Sequence, residues 1–241
     1  MADAIAYARA LGHFIVLLTT TWYLKAYVTF QSSGYAWWYK ASFLGSITSY
    51  AIVCYKSLGV PQPNMAYLHR ALTDENVQYF LMAILWWSSR PLPLALVPYF
   101  VFSLFHALSF ARTNIIPKVF PPTASAPGPN GANANGPPVP ALSRTIQVWV
   151  KANYDTAMIV VARLELLILL RAVLGVFFLQ NSLLVPLAFG HFLRSRYYTS
   201  AFTRDAVHTS SILLEGLVNK PGIPPIVKKV YDVVKAAVIR W

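Results

Sequence analysis

The sequence predicts an all-α, polytopic membrane protein of short helical hairpins ending in a cytosolic amphipathic helix. Composition is the first reason: 56% of the 241 residues are hydrophobic and only 12% charged, against about 25% charged in a soluble domain. The second is six apolar stretches separated by turn-forming or charged residues. The third is charge placement. Of 20 basic residues against 8 acidic ones, a net charge of +12, most flank the apolar runs, the position set by a negatively charged cytosolic leaflet.

The first stretch runs from Ala10 to Leu24 and extends to Phe30 if the Lys25 ammonium reaches the interface on its long stem. Gln31-Ser32-Ser33-Gly34 breaks it, and Tyr35 to Tyr39 reads as an aromatic belt. The second stretch is Ala41 to Tyr55 and the third Val77 to Ser89, stopped by Arg90-Pro91. The fourth, Leu92 to Phe110, carries no formal charge. The fifth, Met158 to Phe178, holds Arg163, Glu165 and Arg171, and the sixth is Ser182 to Leu193. A full crossing takes about 20 apolar residues. Several of these stretches stop at roughly 13 to 15, about 20 to 23 Å of helix, so they thin the bilayer or dip into it as hairpins. Positive-inside logic places residues 56–70, 112–151 and everything after Arg194 in the cytosol. That gives three hairpins with tips near Gly34, Pro91 and Asn181, while Lys25, Lys40 and Arg90 fall at the tips against the bias.

The domain reading follows. Residues 1–116 form an N-terminal membrane region of about four segments. Residues 117–140, with 8 Pro and 3 Gly, are a disordered linker with too few apolar residues to offset ordering entropy. Residues 141–200 form the third hairpin, and 201–241 a cytosolic tail with an amphipathic helix over 224–241.

No motif calls for catalysis. His69 and Asp74 match the H-x4-D spacing of membrane acyltransferases, in which a carboxylate-oriented histidine deprotonates a hydroxyl. The glycine-rich phosphate-binding segment of those enzymes is missing, and Thr73 reads better as an N-cap with Asp74 and Glu75 in the first turn. No P-loop, dinucleotide fingerprint or nucleophile elbow occurs, so no cofactor is expected. One cysteine, Cys54, excludes a disulfide framework. The basic excess lies beside apolar runs rather than on a solvated face, which argues against nucleic acid. Four intramembrane polar residues are candidates. Arg163 and Arg171 share one helical face with Leu167, Glu165 lies elsewhere on that helix, and His106 stands on an otherwise apolar one. Such groups mark a transport path or headgroup pocket by default. With no second acidic cluster to complete a relay, the plainer reading is a helix only partly immersed, or a Glu165 pair with a basic residue of another segment. His106 has no second histidine at ligand spacing and reads as an interhelical hydrogen-bonding group.

The tail is the most informative segment. Val227, Val230, Val234, Ala237, Val238 and Trp241 form one stripe at three- and four-residue steps, and Lys228, Lys229, Asp232, Lys235 and Arg240 take the remainder. This is the pattern of an interfacial helix. Each basic residue contributes about 1 kcal/mol near anionic lipid, so a net of three gives about 3 kcal/mol. Short valines must supply the rest, which makes binding reversible and favours curved bilayers with packing defects.

Three blocks resemble the transmembrane-protein-33 family, which includes the fungal 33-kilodalton pore membrane protein. They are Val97 to Ala107, Phe189 to Tyr198 with Arg194-Ser195-Arg196-Tyr197-Tyr198, and Asn219-Lys220-Pro221, joined by Ala71 to Glu75 before Tyr79. The resemblance spans most of the chain, with the Pro/Gly linker as a local insertion. It implies a non-enzymatic protein of the endoplasmic reticulum and nuclear envelope, in which the charge placement above makes the chain multi-pass with its C-terminus in the cytosol. It further implies association with reticulons, nucleoporins and tubular membrane, and a basic tail that binds membrane and an import receptor. These last roles map onto Lys228, Lys229, Lys235, Arg240 and the Val227/Val230/Val234/Trp241 stripe. Family members are often described with three spans, against the three hairpins read here.

Overall fold

The structure, a computed structural model, describes residues 2–120 and 140–240; most of the predicted linker, 121–139, lies outside them. Every regular element among the described residues is helical. They are α1 (Ala2–Val28), α2 (Ala36–Leu58), α3 (Met65–Thr73), α4 (Glu75–Ser88), α5 (Leu96–Phe110), α6 (Ile116–Val119), α7 (Ala141–Phe177), α8 (Leu184–Thr199), α9 (Ala201–Val218) and α10 (Pro225–Arg240), with a π-helical turn at Ala111–Ile115 between α5 and α6.

Six helices, α1, α2, α4, α5, α7 and α8, alternate in direction and make the body. Antiparallel α1 and α2 meet along small residues. A Cβ on Gly12 would lie 2.8 Å from the Gly45 carbonyl oxygen and 2.2 Å from Ser49 Oγ, so only glycine lets the backbones approach this closely. Hydroxyls finish the seam: Ser49 Oγ donates to the Arg9 carbonyl at 3.0 Å, and Thr19 and Ser42 share a 2.8 Å bond. Further along, α4 lies against α2, α5 against α1, and α7 and α8 close the far side against α5 and α4. The arms α4 and α5 of the middle hairpin meet through aromatic rings, Tyr79 on Tyr99 and Phe102. The core is accordingly rich in rings: Tyr39, Phe43, Tyr50, Trp86, Phe189 and Phe192 pack with them.

Helix lengths differ. α4, α5 and α8 have 14, 15 and 16 residues, about 21 to 24 Å at 1.5 Å per residue. α1 and α2 reach 27 and 23 residues, longer than their apolar stretches, because Arg9, Lys25, Lys40 and Lys56 extend from the helix instead of ending it. Residues 4–28 and 93–119 are long and apolar enough to cross a bilayer by length and composition. The three predicted tips fall between α1 and α2, α4 and α5, and α7 and α8, all at one end; α3, α9 and α10 gather at the other.

The basic residues at the tips serve the turns. Lys40 Nζ donates to the carbonyls of Trp87 and Ser89, and Arg90 Nη1 to that of Leu179 at 3.1 Å, so lysine and arginine satisfy carbonyls left open by helix ends. α1 and α7 close identically. Gln31 N–H reaches back to the Ala26 carbonyl and Gln180 N–H to that of Gly175, over a left-handed residue, Phe30 (φ 57°) or Leu179 (φ 54°). That conformation costs roughly 1–2 kcal/mol for a residue with a Cβ.

The tail end corrects one expectation. Residues 56–70 read as a loop, yet Met65–Thr73 is helical, started by Asn64, whose Oδ1 accepts from Tyr67 N–H at 2.6 Å. Thr73 therefore ends a helix instead of capping one. The cap of α4 is Asp74, whose Oδ1 accepts from the N–H groups of Asn76 and Val77: a carboxylate accepts two orphan donors and sits favourably in the positive field of the helix start.

Candidate membrane-binding face and a buried charge cluster

Pro224 and Pro225 set the start of α10, where a missing N–H is harmless. Of the predicted stripe, Val227 and Val230 are 43% and 56% exposed; Trp241 and the side chains of Val234, Val238 and Arg240 lie outside the described residues. Ile226 and Val233, 64% and 62% exposed, widen the apolar face at the same helical register, and the sequence reading passed them over. Lys228 and Lys229 point away from it, exposed, in no ion pair among the described residues. The face is thus uncovered by protein. α10 is held to the body by its charged side: Lys235 Nζ lies 3.2 Å from Glu215 Oε2 on α9 and over the Tyr231 ring. Hydrogen bonding and charge from Glu215 raise the lysine above its ordinary value. A raised lysine contributes fully below its unfolded value and loses that contribution as pH climbs through the folded one, so the link is complete at neutral pH.

Two neighbouring helices expose apolar residues at the same end. On α9 these are Ile212, Leu213, Leu214 and Leu217; on α3 they are Met65, Leu68 and Leu72. The i, i+3, i+7 spacing behind Asn64 was the available signal for α3, obscured by basic neighbours that read as loop.

The body holds a different arrangement. Glu165 of α7 is 1% exposed and accepts from Tyr79 Oη of α4 at 2.7 Å. Tyr99 Oη of α5 donates to the Tyr79 carbonyl at 2.9 Å. The Arg196 guanidinium of α8 lies 5.4 Å from the Tyr79 ring centroid and pairs with Glu75 Oε1 at 3.0 Å. Gln78 Nε2 bridges the Leu72 carbonyl and Ser195 Oγ. Glu165 does meet groups of other segments, a tyrosine hydroxyl first, near an arginine that the sequence gave no reason to bury. The space lined by Tyr79, Tyr99, Glu165 and Phe192 measures about 10 Å³, room for at most one water, and the cluster joins helices.

The other candidates sit elsewhere. Arg163 is exposed, and Arg171, also exposed, donates to Gln180 Oε1 at the tip of its own hairpin, so their shared face with Leu167 points outward while Glu165 points in. His106 stacks on His13 of α1, ring centroids 4.6 Å apart and planes at 16°, and His13 Nδ1 meets Ser103 Oγ at 3.1 Å. The stacked partner comes from 93 residues away in the chain, beyond the reach of sequence spacing. Stacked rings do not converge two nitrogens on an ion, and no group of three metal-ligating side chains occurs among the described residues. His69 and Asp74 form no dyad, since Asp74 Oδ1 caps α4 and Oδ2 accepts from Ser57 Oγ at 3.3 Å.

Comparison with known proteins gives one consistent answer. The family model described as Transmembrane protein 33/Nucleoporin POM33 matches residues 1–241. The chain is 34% identical to "Nucleoporin POM33" of Chaetomium thermophilum over 98% of its own length and 85% of that protein. It is 29% identical to "Tetra-spanning protein 1" of Schizosaccharomyces pombe, covering 95% and 81%, and 24% identical to human "Transmembrane protein 33", covering 79% and 71%. No solved structure matches.

Proposed function

The chain belongs to the Transmembrane protein 33/Nucleoporin POM33 family, and from that premise we propose that it is a non-enzymatic, multi-pass protein of the endoplasmic reticulum and nuclear envelope. In this reading it shapes or senses membrane curvature, supporting nuclear pore assembly and distribution and the tubular reticulum. The end carrying α3, α9 and α10 faces the cytosol.

One observation carries the reading: α10 exposes Ile226, Val227, Val230 and Val233 on one side and Lys228 and Lys229 on the other, with no protein over either. Such a helix is satisfied by an anionic bilayer, which covers the valines with acyl chains and neutralises the lysines with phosphates. Valines insert shallowly, so they gain most where headgroups are spread apart, as on a curved cytosolic leaflet. The short helices α4 and α8 add area near the same leaflet. Glu215 keeps the helix beside the body while leaving its apolar face free.

The test is reconstitution of the full chain and a 1–219 truncation into anionic liposomes, imaged by electron microscopy as protein density rises. Tubules with the full chain that weaken in the truncation support direct shaping. Round vesicles at every density overturn it and leave an adaptor that recruits reticulons, nucleoporins or an import receptor without bending the bilayer.

A further inference from the structure

Four described residues adopt positive φ: Phe30, Gly59, Leu179 and Gly222. At the tail end the chain places glycine there, the residue that enters this region without steric cost. At the tip end it places a phenylalanine and a leucine, in two separate hairpins, in the same helix-closing turn. Their side chains are 95% and 85% exposed, the two highest values among the exposed large apolar residues described. The strain therefore serves no packing within the protein.

The surroundings point the same way. Trp37, Phe177, Phe178 and Leu183 are 61% to 78% exposed beside them. The polar groups of the third tip bond within the protein: Gln180 accepts from Arg171, Asn181 Nδ2 donates to the Ala172 carbonyl at 2.8 Å, and the Leu179 carbonyl accepts from Arg90. The 14-residue α4 and 16-residue α8 also fall short of a hydrocarbon core about 30 Å thick.

We propose that the tip end is immersed in the far leaflet of the bilayer, with Phe30 and Leu179 as its anchors. Lipid is the occupant because exposed apolar residues continue from the tips down the flanks of the body, through Val28, Leu174 and Leu170, exposed at 70%, 43% and 54%. A left-handed Phe or Leu aims an apolar side chain straight off the turn, where glycine would offer nothing to the acyl chains. The inference rests on the membrane placement of the body and is independent of what α10 does.

The test uses the full chain with Cys54→Ala, which removes its one cysteine, in phosphatidylcholine/phosphatidylserine liposomes. Single cysteines replace Phe30, Leu179 or Leu183, with Leu170→Cys as the lipid-facing reference and Lys220→Cys as the water-facing one, each labelled with bimane. Leu183 has an ordinary backbone (φ −58°), so its label reports even if Leu179→Cys disturbs the turn. Quenching by doxyl-lipid is compared with quenching by iodide present on both sides. The expected doxyl-to-iodide ratio at the three tip positions lies within about twofold of Leu170 and several-fold above Lys220. Ratios like that of Lys220 place the tips in water and overturn the proposal. Protection from both quenchers overturns it too, because a second copy or a protein partner then covers the tips. Failure of the liposomes to tubulate leaves this result untouched, so the two readings fail separately.

Discussion

The Glu165 cluster and α10 use the same residue types to opposite ends. In the cluster, charges turn inward and meet partners: Arg196 pairs with Glu75 and Glu165 accepts from Tyr79, inside a shell of rings. In α10 Lys228 and Lys229 turn outward and Val227, Val230 and Val233 stand uncovered. The first arrangement is built from contacts within the protein and joins α4, α7 and α8. In the proposed function a bilayer completes the second by supplying acyl chains and phosphates. On that proposal fold stability and membrane response are carried by different residues and separable by mutation.

The largest effect that sharpens this contrast is Arg196→Ala. Removing a buried guanidinium whose carboxylate partner is half exposed leaves Glu75 and the nearby Glu165 without their cation and costs about 2–3 kcal/mol; a drop in the thermal midpoint of the detergent-solubilised protein checks it. Next is Lys228→Ala/Lys229→Ala. Two lysines at about 1 kcal/mol each predict roughly 30-fold weaker partitioning of a 220–241 peptide into anionic vesicles, read from Trp241 fluorescence. In the full chain the same pair should shift stability by no more than about 0.5 kcal/mol, and a larger loss would break the separation. Tyr79→Phe deletes the hydroxyl bonded to the Glu165 carboxyl and should cost about 1.5 kcal/mol with no change in vesicle binding. Smallest is Glu215→Gln. It frees Lys235 for lipid phosphate, so α10 should bind more tightly and more salt-dependently, seen as stronger doxyl-lipid quenching of bimane at Val230→Cys in the Cys54→Ala chain.

Much of the body was legible because apolar runs and their breakers report directly on helices and turns: the breaks at Gly34, Pro91 and Asn181 are where the chain reverses. Helix ends were less legible. Arg9, Lys25, Lys40 and Lys56 looked like boundaries, yet a long basic side chain can leave the apolar zone while its backbone stays helical. α3 was missed since nine residues among basic neighbours carry little hydropathic signal. The tail stripe was read from spacing alone, and Ile226 and Val233 were left out because they lie at its margin. Pairings across the fold were beyond reach. Nothing in sequence spacing brings His13 to His106 or Arg196 to Glu75, since which faces meet is decided by packing of α1 on α5 and of α8 on α4. The two left-handed apolar residues were equally hidden, because Phe30 and Leu179 are residue types that ordinarily avoid that conformation.

The most direct test of the central claim is curvature sorting. Fluorescently labelled full-length protein and the 1–219 truncation would be reconstituted into giant anionic vesicles, and thin membrane tubes pulled from them. The account predicts that the full chain is enriched on the tube relative to the flat membrane, increasingly as the tube narrows, and that the truncation loses much of that enrichment. Equal density on tube and flat membrane for both proteins, at every radius, would contradict it.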